Sequence, residues 1–340
     1  MMNVRDEIFG QHMSLRQTFV YMQSQAEMIK DFYGISGFYS VTFTGCGPVH
    51  AVCDSAELSL RMRGGMTAVS MSAGDLILNM PRYLDMLNGT MILASSRTGK
   101  ETELIYALEK ARREAGTTII ACSADQKTDL SSIADIQLEL PWAREDSGFV
   151  TRSIGNIFLV NLFNIGLLSG DAVLLDEIKA VTDDLEAFIS RNISAIQQVA
   201  EDPSWERVVI LADGEMRGLA HAGAEAFHSL AGVPAWHSNL LDSRYVFGKS
   251  LIDPKALVIA VVSPDEDVHQ NLFLRELRGT GAKIVTLSQK AEQQPGTALS
   301  LTLPAVKNLA NWGYGFLFTL QALAYFRGDR NGSGATDTRA

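Results

Sequence analysis

Apolar side chains recur at intervals of three and four along residues 5–33. Leu15, Phe19, Met22, Ala26 and Ile29 fall on one face and predict an amphipathic helix. The period then changes. Residues 38–44 (FYSVTFT) are rich in β-branched and aromatic side chains and predict a strand that runs into Gly45-Cys46-Gly47-Pro48. A helix is predicted over 49–63, stopped by Gly64-Gly65. Further strands are predicted at 66–71, 90–94, 117–122 and 136–140. Between and after them come a helix over 100–113 and a long apolar helix over 148–168. A polar, acidic stretch over 170–203 reads as a helical connector.

The pattern then restarts. Strands are predicted at 207–212, 256–263, 283–287 and 299–303, with helices over 216–231, 266–278 and 308–327. Alternating strands and helices imply parallel pairing and right-handed crossovers. Near-continuous apolar runs such as Thr118-Ile119-Ile120-Ala121 suit strands covered on both faces. The same order occurring twice implies an internal duplication. The expectation is therefore an α/β chain of two doubly wound lobes, each a parallel five-stranded sheet flanked by helices in three αβα layers. An N-terminal helical arm spans 1–34, the first lobe 35–170, the connector 171–204, the second lobe 205–328 and a flexible tail 329–340.

Composition narrows the function classes. The chain has 340 residues, 46% of them hydrophobic, and a formal net charge of −10. That charge is unsuited to nucleic acid, whose binding relies on neutralised phosphates. A small anion can still be held locally by backbone N–H groups. No apolar segment is long enough for a bilayer span, because 157–168 is short and interrupted by Asn161 and Asn164. The three cysteines, Cys46, Cys53 and Cys122, form no metal-binding spacing and fit a reducing cytoplasm. The acidic cluster Asp183-Asp184-Glu186 reads as a solvated helix face, so no metal and no cofactor are expected.

The most informative segment is Ser95-Ser96-Arg97-Thr98-Gly99-Lys100-Glu101-Thr102-Glu103. A strand leads in and a helix leads out, hydroxyls surround a glycine, and the loop lies at a strand's carboxyl end, where ligands of open α/β sheets bind. A plain capping loop is the alternative, since Thr98 and Glu101 have capping-box spacing. The Walker spacing is missing, and so is a dinucleotide-binding GxGxxG.

Ser96 to Glu103 resembles the phosphate loop S-[RQ]-S-G-x-[ST]-x-E of the sugar isomerase (SIS) family, except that the hydroxyl two residues after the glycine falls one position late, at Thr102. Other landmarks follow in the family's order. Glu7-Ile8, Gln11 and Leu15-Arg16 resemble its "EI..QP..LR" helix, and Gly45-Cys46-Gly47 its "GCGSS" turn. Leu140-Pro141-Trp142 through Val150-Thr151-Arg152-Ser153 resembles "…E…V.MT[RK]SFT", and Ser250-Leu251-Ile252-Asp253 resembles "xLID". The resemblance covers nearly the whole chain. It is to the double-SIS type, similar to the isomerase domain of glutamine–fructose-6-phosphate aminotransferase and to fructosamine-6-phosphate deglycases. It implies flavodoxin-like lobes, a cytoplasmic homodimer with a shared active site, and a phosphorylated sugar or amino sugar held between the lobes. By the resemblance Ser95, Ser96, Thr98, Gly99 and Thr102 hold the phosphate, and Gly47 and Thr151 line the same pocket. His50, just after the first turn, is a further pocket residue.

Two departures bear on catalysis. The family's ring-opening members carry a glutamate on the second lobe's first helix and a histidine sixteen residues later. Aligning Val233-Pro234-Ala235 with the family's "IPA" places Ser229 and Tyr245 at those positions. Glu225, one helical turn before Ser229, is the candidate base, with His237 or Tyr245 as acid and Ser229 in the pocket. Two readings follow. One is a phosphosugar isomerase or fructosamine-6-phosphate deglycase acting by ring opening and proton transfer. The other is a non-catalytic sugar-phosphate sensor that has lost the glutamate/histidine pair.

Overall fold

Gly10 divides the expected N-terminal helix into α1 (Val4–Phe9) and α2 (Gln11–Ser36). The computed structural model describes residues 3–63, 65–265, 268–290 and 296–330. The expected stop at Gly64, the helix start at Glu266 and the tail from 331 lie outside the described residues. The chain divides into two compact units. One, the first lobe, comprises Gly10–Asp146 and Val150–Asp183; the other, the second lobe, takes α1, Ser147–Phe149 and the described chain from Asp184 onward.

In the first lobe β1 (Ser40–Gly45) leads to α3 (Pro48–Arg63), β2 (Thr67–Ser72) and α4 (Ala73–Leu87). Then come β3 (Thr90–Ser95), α5 (Thr102–Ala115), β4 (Thr118–Ser123), α6 (Asp129–Ile133), β5 (Ile136–Glu139) and α7 (Arg152–Ser169). The long α8 (Ala172–Glu201) crosses the boundary between the units. The second lobe continues with β6 (Arg207–Leu211), α9 (Arg217–Ala226), β7 (Ala235–Ser238), α10 (Ser243–Val246), α11 (Gly248–Leu251), β8 (Ala256–Val261), α12 (Val268–Arg278), β9 (Lys283–Ser288), β10 (Leu299–Thr302) and α13 (Gly313–Arg330).

Each sheet has five strands, paired in parallel. The first has the order β2-β1-β3-β4-β5 and the second, in mirrored listing, β7-β6-β8-β9-β10. Adding five to each strand of the first order reproduces the second, so the duplication expected from the pattern is present in the topology. In both sheets the first strand lies second from one edge, and the chain reverses direction across the sheet beside it. In the first sheet that reversal lies between β1 and β3, where Thr44 pairs with Ala94. The loops leaving the two strands are therefore neighbours, the place where open α/β sheets bind ligands.

The strands β1 and β3 are buried along their full length, as two-sided cover demands. On one side Leu76, Met80, Ile92, Leu104, Leu108 and Ile119 form a closed apolar cluster. Helix α7 is buried along almost all of its length despite three asparagines. Asn156 accepts from the Thr18 hydroxyl at 2.6 Å, and Asn164 donates to the Val160 carbonyl at 2.8 Å. Two of the three are paired in this way, as buried amides require, whereas the buried Asn161 Nδ2 has no hydrogen bond among the described residues. In the second lobe α9 lies close to α13, because a Cβ at Gly223 would sit 2.3 Å from Leu320 Cδ1.

Several elements were not in the sequence pattern, namely the short helices α6, α10 and α11, the helix α4 and the strand β7. Helix α4 was not expected; it starts with the Ser72 hydroxyl accepting from Asp75 N–H at 3.1 Å and tolerates Pro81 inside. Strand β7, only four residues long, contains His237.

Candidate functional site

The first lobe's loop begins where β3 ends. Ser96 and Gly99 are buried, and Gly99 has φ +67°, where an added Cβ would meet Thr128 Oγ1 at 2.3 Å. Only glycine fits that conformation and that space. The loop closes on itself. Gly99 N–H donates to Ser96 Oγ at 2.5 Å, and Lys100 N–H donates to Thr98 Oγ1 at 3.2 Å. The Ser96 hydroxyl donates to the Glu101 carboxylate, which also accepts from Thr98 N–H at 3.2 Å. The spacing of this second bond is that of a capping box's reach-back bond, but α5 begins only at Thr102, so it closes the loop and caps no helix. Burial pushes the Glu101 carboxyl up, yet the bonds from Ser96 and Thr98 together hold it below its ordinary value. Lys100 Nζ turns outward to Asp125 at 3.4 Å.

The other expected phosphate ligands are placed differently. Ser95 is the last residue of β3 and its hydroxyl faces the interior, 3.4 Å from Asn161 Oδ1 and 3.8 Å from Cys122 Sγ. Thr102 opens α5, and its exposed hydroxyl bonds Glu103 at 3.0 Å. Gly47, at φ +53°, lies in the turn after β1, next to the loop leaving β3. His50 sits within α3, with Nε2 3.2 Å from Ser70 Oγ on β2 and 3.7 Å from Asp54.

Thr151 leads to a residue that the sequence reading passed over. It precedes α7, and its N–H and hydroxyl both donate to Glu145 Oε1, at 2.6 and 3.2 Å; Ser153 N–H joins them at 2.8 Å. The Glu145 side chain is 1% exposed, and among the described residues its other oxygen has no hydrogen bond, with the Arg97 guanidinium 3.7 Å away. Burial raises the Glu145 carboxyl above the ordinary carboxylate range, against the opposing pull of Ser153, Thr151 and Arg97. Arg97 belongs to the β3 loop, so Glu145 links that loop to the start of α7. The signal was in the sequence: Glu145 is the glutamate of the segment leading to Thr151.

In the second lobe Glu225 and His237 come together through a third residue. His221, one helical turn before Glu225 on α9, has Nε2 3.5 Å from Glu225 Oε1, and its ring stacks on His237 of β7 with centroids 4.6 Å apart. Burial raises the Glu225 carboxyl, opposed by the neighbouring His221 and His228, and its Oε2 is buried with no hydrogen bond among the described residues. A carboxyl raised in this way is a stronger base when ionised. His228 instead accepts from Ala235 N–H at 3.0 Å, a structural bond. Ser229 is exposed and bonds the Ala226 carbonyl at 3.3 Å. Tyr245 on α10 is 88% exposed and is not part of the Glu225–His221–His237 cluster. A separate cavity of about 330 Å³, beyond the ends of β6 and β7, is lined by Asp213, Asn239, Leu240, Leu241, Asp242 and Gln270.

Among solved structures the chain is similar to the C-terminal domain of glucosamine-fructose-6-phosphate aminotransferase from Francisella tularensis, with TM-score 0.82 and 15% identity over 98% of this chain and 97% of that one. It is also similar to tagatose-6-phosphate ketose/aldose isomerase from Escherichia coli, with TM-score 0.83 and 19% identity over 99% and 95% of the two chains. The chain has the SIS fold. A third SIS-fold structure, glucosamine-6-phosphate deaminase from Thermotoga maritima, matches with TM-score 0.74 and 18% identity over 94% and 96%. No protein-family model and no curated protein matches the sequence. Among the described residues of this SIS-fold chain, no helix is long and apolar enough to cross a membrane.

Proposed function

We propose that the chain is a double-SIS phosphosugar enzyme, an aldose–ketose isomerase or a fructosamine-6-phosphate deglycase. The observation that carries this reading is the cluster on α9 and β7. A partly buried carboxylate with raised proton affinity, Glu225, lies 3.5 Å from His221, which stacks on His237. Such a group can take a proton from the carbon next to an open-chain carbonyl. The imidazole beside it can give a proton to the ring oxygen as the sugar opens. No cofactor enters this chemistry. Ser96, Thr98 and Gly99 anchor the phosphate, with the backbone turn at Gly47 beside them.

A second copy of the chain completes the proposal. Helix α2 leaves Met13, Val20, Met28 and Ile35 exposed, spaced seven or eight residues apart on one face, which suits the contact of a homodimer.

The non-catalytic sensor has one observation in its favour. Ser229 and Tyr245 stand where the resemblance places the glutamate and histidine of the ring-opening members. Turnover separates the two readings. The chain is incubated with sugar 6-phosphates, amino-sugar 6-phosphates and fructosamine 6-phosphate, and products are followed by chromatography. The enzyme reading expects conversion of at least one compound. Thermal stabilisation by these compounds without conversion of any would leave the sensor.

A further inference from the structure

The loop that would hold a ligand's phosphate already holds an anion, and that anion belongs to the chain. The motif that the loop resembles carries a hydroxyl two residues after its glycine. Here that position is Glu101. Its carboxylate takes the Ser96 hydroxyl and the Thr98 N–H. Two further donors of the loop are bonded within it, Gly99 N–H to Ser96 Oγ at 2.5 Å and Lys100 N–H to Thr98 Oγ1 at 3.2 Å. Hydrogen bonds to an ionised acceptor are about twice as strong as neutral ones, so two of them make a stable internal cap. A phosphate dianion arriving at the same donors meets a like charge as well as occupied partners.

We infer that Glu101 is an internal stopper of the anion cradle: its carboxylate fills the place of a ligand phosphate, and a phosphorylated sugar binds only by displacing it. The inference rests on the phosphosugar reading above and adds a residue that sets affinity and selectivity. Nothing else about Glu101 calls for a carboxylate. Its helix begins one residue later, and the Glu101 side chain makes no capping hydrogen bond to that helix's first turn. The cradle therefore discriminates. A ligand whose only anchor is a weak anion leaves the stopper in place, whereas a phosphosugar with further contacts can exchange for it. When the binding-competent state is populated at about 1–10%, apparent affinity falls by about 10–100-fold.

Glu101→Thr removes the charge and supplies a hydroxyl at the same position. Glu101→Gln keeps the size of the side chain and removes only the charge. Fructose 6-phosphate is titrated into wild type and both variants by calorimetry, with melting curves to confirm folding. Tightening by about 10-fold or more in either variant is the expected result. Equal affinity in all three proteins overturns the stopper and leaves the phosphosugar reading standing. Weaker binding by both folded variants also overturns it, because Glu101 would then be a ligand contact. No binding by any of the three overturns the stopper and the phosphosugar reading together.

Discussion

Glu145 is a buried carboxylate whose removal has a calculable effect. In Glu145→Ala, the N–H groups of Thr151 and Ser153 lose acceptors now at 2.6 and 2.8 Å, and the Thr151 hydroxyl loses one at 3.2 Å. Thr151 and Ser153 are both fully buried, so water does not readily replace the lost bonds. An unsatisfied buried donor costs about 1–3 kcal/mol. Two backbone donors therefore cost about 2–6 kcal/mol, reduced by relief of the desolvated carboxylate, and a net loss of about 2–4 kcal/mol is expected. At about 2–4 °C per kcal/mol, the melting temperature falls by roughly 4–16 °C.

Glu145→Gln keeps an oxygen for the same donors and loses less. Its pH dependence is the sharper test. Burial raises the folded-state carboxyl of Glu145 above its unfolded value. Its stabilising contribution is then fully present below the unfolded value and is lost as pH rises through the folded one. The advantage of wild type over Glu145→Gln, read by urea denaturation, is thus greatest in acid and shrinks toward neutral pH. A Glu145→Ala protein as stable as wild type, or an advantage over Glu145→Gln that grows with pH, refutes the assignment.

Gly99→Ala forces a side chain into φ +67° and against Thr128, costing about 1–2 kcal/mol for the conformation and about 1–3 kcal/mol for the overlap. Denaturant melts should show the loss, and adding Thr128→Ala, which removes Oγ1 and Cγ2 but keeps Cβ 2.7 Å away, should recover only part of the overlap cost; full recovery or none would contradict the geometry. Glu225→Gln should lower turnover of any substrate by about 10²–10⁴-fold with ligand affinity unchanged. Unaltered turnover in that variant would remove Glu225 as the base.

Much of the fold was legible because buried parallel strands leave strong signals. Val41, Phe43, Ile92, Ile119 and Ile120 mark sheet interiors whichever helices cover them. Helix α4 escaped because Pro81 reads as a breaker, and β7 because four residues with His237 among them make no apolar run. The loop at Ser96–Glu101 was visible as a turn between strand and helix, with hydroxyls at Ser96 and Thr98 and none at the second position after Gly99. What the loop binds was not visible, because hydrogen bonding depends on which way Glu101 points, and spacing carries no such information. The same limit explains Ser95. Its position at the end of β3 put it beside the loop, but strand alternation turns its side chain toward α7 and Asn161. His221 was overlooked because its significance comes from β7, which brings His237 under it from sixteen residues away. Glu145 was hidden for a comparable reason, since its partners Thr151 and Ser153 reach it only after the chain turns into α7.

The central claim is that the β3 loop anchors a sugar phosphate, and one binding measurement addresses it directly. Fructose 6-phosphate and fructose are titrated calorimetrically into wild type and into Ser96→Ala/Thr98→Ala. The account expects wild type to bind the phosphorylated sugar and not fructose, and the double variant to lose that binding while melting cooperatively. Equal affinity for fructose 6-phosphate in wild type and the folded double variant would contradict it.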